Sequence, residues 1–215
     1  YHCFGWTCSV LYPLYCGAEI VILDSFTPKE TISVIRKEKV NDLYIVPSIC
    51  SLLTKLASKK DMASLRLVVS GGTTLPLKIE QDFMNKFGVD ICEGYGLSET
   101  SPVVTMNPPE KPKVGSCGPV VPGVAWKLID SDGNEVPKGE AGELIVKGDN
   151  IMLGYWNLPD ATKNALRGGW LHTGDVARAD EEGYIYIVDR IKDMIISMGE
   201  NIYPREVEEL IYQFP

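Results

Sequence analysis

The chain has 215 residues, of which 45% are hydrophobic and 23% are charged, a balance typical of a folded globular protein rather than a disordered one. Its net charge of −8 argues against nucleic acid or an anionic membrane as the main partner, because both are bound by clustered positive charge. The uncharged stretch at residues 3–18 is shorter than the ~20 residues of a membrane span, so no transmembrane segment is expected.

The chain opens with helix and strand patterns. The apolar residues 3–17 predict a buried helix that ends at Gly17, and residues 19–23 predict a strand. The sequence Thr-Pro-Lys-Glu at residues 27–30 is typical of a capping box, in which the Thr and Glu side chains satisfy free backbone donors. It predicts a helix that continues to about Lys39.

The same unit then recurs along the chain. Strands are predicted near residues 43–46, 67–70 and 89–92, and helices near residues 49–58 and 77–87. Apolar strands that alternate with helices predict an α/β fold with a parallel sheet covered by helices. Ligands bind such sheets beyond the carboxyl ends of the strands. Residues 70–74 and 93–100 follow two of these strands, so we expect them to lie together.

Residues 93–100 read Glu-Gly-Tyr-Gly-Leu-Ser-Glu-Thr and favour a nucleotide site. Gly94 and Gly96 let the backbone approach a ligand closely, while Tyr95 offers a flat ring to a base. Ser98 supplies a hydroxyl for a phosphate or carboxylate oxygen, and Glu99 a hard oxygen ligand for Mg²⁺. The alternative for this stretch alone is a turn with a packed tyrosine and a solvated glutamate.

The second half of the chain predicts a different architecture. Three prolines at residues 106–112 indicate a linker. Short strands and turns after it predict a small antiparallel β-barrel, followed by the start of a C-terminal α+β domain that includes a helix from Pro204. The barrel strands are predicted at residues 124–129, 142–147, 175–179 and 184–188, with a helix at 160–166 and a later strand at 194–198. The predicted units are residues 1–112, 113–188 and 189–215.

Two charged residues in this half are candidates for nucleotide binding. Asp175 follows Gly174, a position suited to accepting two hydrogen bonds from a ribose diol, although an aspartate that caps a strand is the commoner use of such a site. Arg190 can reach a ribose or phosphate, although spacing alone favours a surface ion pair with Asp193.

Taken together, these stretches of the chain resemble the acyl-adenylate-forming superfamily. That superfamily includes acyl-CoA synthetases, 4-coumarate-type ligases, firefly-type luciferases and nonribosomal adenylation domains. The matching segments, in the family order, are residues 1–5 (Tyr-His-Cys-Phe-Gly), 70–74, 94–100, 142–148, 170–175 and 183–192 continuing into 199–204. They cover almost the whole chain, and ordered matches of this number are far more specific than any one of them. The family's phosphate loop would precede Tyr1 and its acyl-phosphate lysine would follow Pro215, so we expect an internal fragment that is inactive alone.

The resemblance implies a role for each matching residue. Tyr95 would stack on adenine, Asp175 and Arg190 would hold the ribose, and Ser98 would contact the α-phosphate. Glu99 would bind Mg²⁺. The residues implied in ATP or AMP binding are Gly72, Thr73, Thr74, Glu93, Gly94, Tyr95, Gly96, Leu97, Ser98, Asp175 and Arg190.

Other residues are implied in acid binding and in the second half-reaction. His2 would lie beside the substrate carboxylate, and Lys192 would be the hinge about which a C-terminal domain rotates. The acid site is implied at His2, Trp6, Gly72 and Gly96, and the coenzyme A site at Ser197, Met198 and Gly199.

The implied reaction is ATP-dependent activation of a carboxylic acid as acyl-AMP, followed by transfer to coenzyme A. Residues 1–7 contain no acidic side chain to pair with an amino-acid ammonium group, which disfavours an amino-acid substrate. A fatty acid of medium or long chain is expected, with a 4-coumarate-type aryl acid or a non-catalytic adenylate-binding protein as alternatives. Luciferase chemistry is a rarer outcome of the same half-reaction.

The expected partners are therefore small molecules: a carboxylic acid, ATP with Mg²⁺, and coenzyme A. The six cysteines include no C-x-x-C pair, which favours a reduced, cytoplasmic protein over a zinc site or a disulfide framework. The sequence leaves the oligomeric state open, with a homodimer as one possibility.

Overall fold

The computed structural model describes residues 2–197 and 200–214, which form a parallel sheet flanked by helices and a curled antiparallel sheet. Within these residues, no helix is both long enough and apolar enough to cross a membrane. After a π-helical segment at Gly5–Leu11, the helices are α1 (Tyr12–Tyr15), α2 (Pro28–Glu38), α3 (Pro47–Leu56), α4 (Leu77–Phe87), α5 (Pro159–Ala165) and α6 (Pro204–Ile211). The strands are β1 (Asp42–Ile45), β2 (Leu67–Ser70), β3 (Ile91–Gly96), β4 (Val103–Met106), β5 (Val124–Ile129), β6 (Gly142–Gly148), β7 (Leu166–Arg167), β8 (Trp170–Ala179), β9 (Ile185–Arg190), β10 (Ile195–Ser197) and β11 (Glu200–Ile202).

The first sheet has the order β1-β2-β3-β4, and its first three strands are parallel. Its core lies between these strands and the helices α2, α3 and α4, with Leu53, Val68 and Phe83 fully buried. Proline and glycine set the helix ends, since Pro28 and Pro47 stand in the first helical turns and Gly88 ends α4 in the left-handed region at φ 75°. The predicted parallel sheet with flanking helices is confirmed.

Three local predictions in this half are wrong. The segment at residues 3–17 is helical and contacts β1, but none of its residues between Gly5 and Tyr15 is buried. Residues 19–23 form no strand, and they leave the outer edge of β1 unpaired, since β1 pairs only with β2 within the described residues. At the start of α2, Thr27 Oγ1 donates to the Glu30 carboxylate at 3.2 Å instead of capping a backbone donor.

Strand β3 pairs in parallel with β2 and antiparallel with β4. Val68, Val69 and Ser70 of β2 pair in parallel with residues 91–93, whereas residues 94–96 pair antiparallel with β4. The predicted strand at residues 89–92 therefore runs on through Gly96, and Tyr95 is a strand residue rather than a loop residue. Gly96 has no room for a side chain, because an added Cβ would lie 1.8 Å from the Pro102 carbonyl oxygen on the neighbouring chain segment.

The second sheet is antiparallel throughout, with the order β5-β6-β8-β7 and with β9 beside β8. The predicted barrel strands and the helix α5 are present, but β8 begins at Trp170 instead of residue 175 and so includes the Thr173-Gly174-Asp175 stretch. Its core contains Val104 of β4 together with Leu144, Leu171 and Ile185. Bridges from Val120 to Thr105 and from Pro119 to Tyr184 join the two sheets.

The last segment is a short hairpin and a helix. Strands β10 and β11 pair antiparallel, with Ile195 opposite Ile202, and α6 follows. Helix α6 contacts both halves of the chain: the Glu209 carboxylate accepts the Leu77 N–H at 3.2 Å, and the Arg205 guanidinium donates to the Ile187 carbonyl oxygen.

Candidate active site

A cavity of about 970 Å³ opens at the carboxyl ends of β2 and β3 and extends to β8 and β9. Parallel pairing of β2 with β3 places Ser70 opposite Glu93, so the loops that follow both strands meet at this edge. The predicted proximity of the two stretches is confirmed for Gly71, Gly72 and residues 94–99, which line the same cavity, although residues 93–96 belong to β3 rather than to a loop beyond it. The predicted nucleotide residues that line the cavity are Gly72, Gly94, Tyr95, Gly96, Leu97, Ser98, Asp175 and Arg190.

Tyr95, Asp175 and Arg190 form a hydrogen-bonded cluster on one wall of the cavity. The Tyr95 hydroxyl donates to Asp175 Oδ2 at 2.5 Å, and Arg190 Nε lies 3.4 Å from Asp175 Oδ1. The register of β8 and β9 creates this contact, because Asp175 and Arg190 are directly opposite each other. The alternative of a surface ion pair with Asp193 is wrong, because the exposed Arg190 side chain pairs with the buried Asp175 carboxylate instead.

The Asp175 carboxylate is 4% exposed. Burial raises its pKa, whereas the Tyr95 hydrogen bond and the positive charge of Arg190 lower it. Burial also raises the pKa of Tyr95, which keeps the phenol protonated as a donor. A carboxylate has about four lone-pair positions, so Asp175 can still accept hydrogen bonds from a ligand in the cavity.

The opposite side of the cavity is built by the turn at Ser98–Thr100 and by the start of the chain. Cys3 Sγ lies 3.4 Å from Ser98 Oγ, and the His2 ring accepts the Phe4 N–H at 3.2 Å. His2, Ser98 and Glu99 all line the cavity. Tyr155 donates its hydroxyl proton to Glu99 Oε1 at 2.7 Å.

The part of this cavity that is bounded by the first helical segment and by the first sheet is called here the apolar recess, because most of the cavity surface is apolar. It is lined by Thr7, Cys8 and Tyr12 from that segment and by Tyr44 of β1 and Val69 of β2. Burial raises the pKa of the Cys8 thiol, and it raises the pKa of Tyr44 to about 12. Both side chains are therefore neutral at physiological pH, as a recess for an apolar group requires.

Several predicted site residues do not line this cavity. Thr73 and Thr74 are exposed beside it, and Trp6, 54% exposed, lies on a small adjoining pocket with His2 and Ser98. The proposed coenzyme A residues Met198 and Gly199 lie outside the described residues, and of Ser197 only the strand backbone is described. Lys192 is exposed and lines the cavity next to Arg190.

Glu93 is also placed away from the cavity. Its side chain is 2% exposed, and its Oε1 accepts the Leu75 N–H at 2.9 Å. Glu80 is equally buried and accepts the Gly115 N–H at 3.1 Å. Burial raises the pKa of Glu93 to about 8 and that of Glu80 to about 7. Glu93 therefore holds the loop after β2 and is protonated over much of the physiological pH range.

These two raised pKa values predict that the protein is less stable at alkaline pH. Their folded-state pKa values lie above the ordinary 4.5. Their contribution to the free energy of unfolding is therefore full below about pH 4.5 and is lost as the pH rises through about 7 to 8. Each group can lower that free energy by up to about 1.4 kcal/mol for each pH unit in this window. Glu93→Gln keeps the acceptor for Leu75 and should flatten the fall of melting temperature between about pH 5 and about pH 9.

The exposed Glu135, which pairs with Lys127 on the surface, supplies the control for this measurement. Glu135→Gln should show the wild-type dependence of melting temperature on pH. A slope for Glu93→Gln equal to that of wild type would show that Glu93 is not neutral in the folded protein.

Sequence reasoning missed Tyr155, Cys3 and the recess residues. Each belongs to a segment that reads as ordinary helix, strand or loop, and only tertiary contact brings it to the site. Glu143 was also missed: it accepts hydrogen bonds from the Gly174 N–H at 3.2 Å and from His172 Nδ1 at 2.9 Å, and so holds the backbone before Asp175.

The donor set at Glu99 fits a magnesium ion that is carried by a phosphate ligand. Glu99 Oε1 is bonded to Tyr155, and Oε2 accepts no hydrogen bond from the described protein groups. No group of three or more His, Cys, Asp or Glu side chains able to hold a metal is found in residues 2–197 and 200–214. Mg²⁺ commonly uses one or two carboxylates and completes its shell with water and substrate phosphates, which is what a single cavity carboxylate offers.

Comparison with known proteins assigns most of the chain to one family. The family described as AMP-binding enzyme matches residues 1–156. A long-chain-fatty-acid–CoA ligase of Escherichia coli O6:H1 strain CFT073 is 38% identical over 100% of this chain and 39% of its own length. A feruloyl-CoA synthase of an Amycolatopsis species is 37% identical over 98% of this chain and 43% of its own length.

A solved structure has the same fold. The crystal structure of ATP-bound MatB from Rhodopseudomonas palustris superposes with a TM-score of 0.94 and 32% sequence identity, and the match covers 100% of this chain and 43% of that one. The chain thus spans about two fifths of the length of these relatives. The cavity at the strand ends, the ordered motifs and the match over residues 1–156 agree, and the chain belongs to the AMP-binding enzyme family.

Proposed function

We propose that the full-length protein is an AMP-forming carboxylic acid–CoA ligase, which activates an acid as acyl-AMP and transfers the acyl group to the thiol of coenzyme A. The proposal rests on one observation: a single cavity joins the Tyr95–Asp175–Arg190 cluster, the Ser98–Glu99 turn and an apolar recess. These are the three surfaces that an acyl-adenylate presents, namely a nucleoside, a phosphate and an acyl group.

In this proposal the chain mainly positions the reactants. The Tyr95 ring stacks on adenine, and Asp175 with Arg190 holds the ribose. A carboxylate acylates a thiol only after one of its oxygens becomes a good leaving group, and attack on the α-phosphate of ATP achieves this with release of pyrophosphate. Ser98 donates a hydrogen bond to the α-phosphate, and His2 orients the incoming carboxylate. Magnesium at Glu99 would neutralise charge on the leaving pyrophosphate.

A fatty acid is the favoured substrate class. The apolar recess past His2, lined by neutral Cys8, Tyr12 and Tyr44, suits an alkyl chain, and one relative is named as a long-chain-fatty-acid–CoA ligase. An aryl acid is the second candidate, because another relative of nearly equal identity is named as a feruloyl-CoA synthase and because Tyr12 and Tyr44 offer rings for an aromatic acid to pack on.

The second half-reaction involves the end of the chain. We propose that Lys192 is the hinge of a domain rotation and that residues 197–199 then border the pantetheine of coenzyme A. We also propose a reducing compartment such as the cytoplasm, in line with six free thiols.

The experiment uses the full-length protein with ATP, Mg²⁺ and a panel of alkyl and aryl acids. Pyrophosphate release is measured first without coenzyme A, and the acyl thioester is then measured with it. We expect release to depend on the acid and to be fastest with medium or long alkyl chains. Release with aryl acids alone would select the second candidate, and AMP binding without release for any acid would indicate a non-catalytic adenylate-binding protein.

A further inference from the structure

The segment after β6, residues 149–158, lies against the turn that carries Glu99. Asn150 Nδ2 donates to the carbonyl oxygens of Thr100 at 2.9 Å and Val103 at 3.1 Å. The Met152 N–H donates to the Glu99 carbonyl oxygen at 2.8 Å. With the bond from the Tyr155 hydroxyl to Glu99 Oε1 at 2.7 Å, one segment holds both the backbone and the side chain of Glu99.

Tyr155 is itself fixed by the beginning of α5. Its N–H donates to Thr162 Oγ1 at 2.8 Å, and that hydroxyl donates to the Leu158 carbonyl oxygen at 2.9 Å. Gly154 permits this packing, since an added Cβ would lie 2.7 Å from Thr162 Cγ2. The backbone that carries the Tyr155 phenol is therefore fixed by hydrogen bonds to α5.

We propose that Tyr155 is a positioning residue for the magnesium ligand: its hydroxyl fixes one oxygen of the Glu99 carboxylate and turns the other toward the cation that accompanies ATP. This inference rests on the proposed function, in which Glu99 meets Mg²⁺. The half-buried Glu99 side chain would otherwise sample several rotamers, and a hydrogen bond to one oxygen reduces the entropy lost when the other binds a cation.

The test replaces the hydroxyl in the full-length protein with Tyr155→Phe. Loss of a hydrogen bond behind a metal ligand should weaken binding of Mn²⁺, used as a spectroscopic substitute for Mg²⁺, to the protein–ATP complex by on the order of tenfold. Electron paramagnetic resonance measures this affinity without turnover. The Mg²⁺ concentration for half-maximal pyrophosphate release should rise by a similar factor, and saturating Mg²⁺ should restore the rate.

A matched control is Tyr186→Phe, which removes a phenol that donates to Asp180 at 3.4 Å on another part of the surface. It should leave Mn²⁺ affinity unchanged. In a Glu99→Gln background, Tyr155→Phe should add no further loss, because the phenol acts through the Glu99 carboxylate.

The inference would be overturned by wild-type Mn²⁺ affinity in Tyr155→Phe, or by an equal loss of rate at every Mg²⁺ concentration, which indicates a purely structural role. An additional loss in the double variant would also overturn it. Absence of pyrophosphate release from the wild-type protein would instead count against the proposed ligase function, since the Mn²⁺ affinities are measured without the reaction.

Discussion

Asp175→Asn is expected to weaken AMP binding by roughly 100-fold, which corresponds to about 3 kcal/mol. The wild-type carboxylate is buried between Tyr95 and Arg190, where hydrogen bonds to a charged acceptor are strong because little water competes. The asparagine keeps a side-chain oxygen for the Tyr95 hydroxyl, so the variant should fold. Calorimetry of AMP binding to the full-length protein, with melting temperature measured in parallel, gives both quantities.

The ribose assignment is tested with a second ligand, 2′,3′-dideoxy-AMP. Wild-type protein should bind it about as weakly as the variant binds AMP, and the variant should hardly distinguish the two ligands, because the removed groups are partners. Asp180→Asn, at a surface turn where Asp180 pairs with Lys113, should bind AMP like wild type. If Asp175→Asn still strongly preferred AMP over the dideoxy ligand, the carboxylate would not be the ribose ligand.

Lys192→Pro is expected to reduce thioester formation by on the order of 100-fold while leaving adenylation close to wild type. Proline fixes φ near −65° and so blocks a rotation that needs a change at this residue. In the described structure the Lys192 N–H makes no hydrogen bond, and the adjacent turn is held by Asp193 and Met194 N–H groups on the Arg190 carbonyl oxygen. The substitution therefore removes no backbone hydrogen bond of the described structure, and the melting temperature of the variant checks that the restriction proline places on Ile191 does not unfold it.

The control for the hinge is Lys192→Ala, which removes the amine and keeps the backbone free. Single-turnover pyrophosphate release and thioester formation are measured for both variants. Lys192→Ala should retain most of the second half-reaction. If both variants lost thioester formation equally, the amine and not the backbone would be responsible, and equal losses in both half-reactions would argue against a hinge at this residue.

The regular elements of the first half could be predicted because local signals mark their ends. The strand Leu67–Ser70 and the helix Leu77–Phe87 have the predicted bounds, since an apolar run and a terminal glycine each define them. The prediction of a strand at residues 19–23 is wrong for a different reason: an apolar β-rich pattern gives only a propensity, and these residues do not pair with β1, whose outer edge stays free within the described residues. Gly94 and Gly96 suggested a loop, whereas they allow the close approach of β3 and β4.

The site was predictable to the extent that its residues cluster in sequence. Tyr95, Ser98 and Glu99 are neighbours along the chain, and Asp175 and Arg190 were identified by motif. Tyr155 reaches Glu99 across 56 positions, and nothing local in its segment indicates that contact. Glu93 shows the opposite difficulty, because a carboxylate inside a nucleotide motif suggests a contact with the ligand. Side chains along a strand alternate between the two faces of the sheet, and the face on which Glu93 lies brings its carboxylate to the Leu75 N–H instead.

The dual pairing of β3 has a consequence for recombination between relatives. Val104 of β4 and Tyr95 of β3 pack in the same core as Leu144 and Leu171, and Thr105 bridges to Val120. A crossover at the proline-rich residues 106–112 would look natural from the sequence, yet it would take the two sides of that core from different parents. Hybrid proteins should fold more often when residues 94–190 are inherited as one block, with the exchange points placed at Glu93 and after β9.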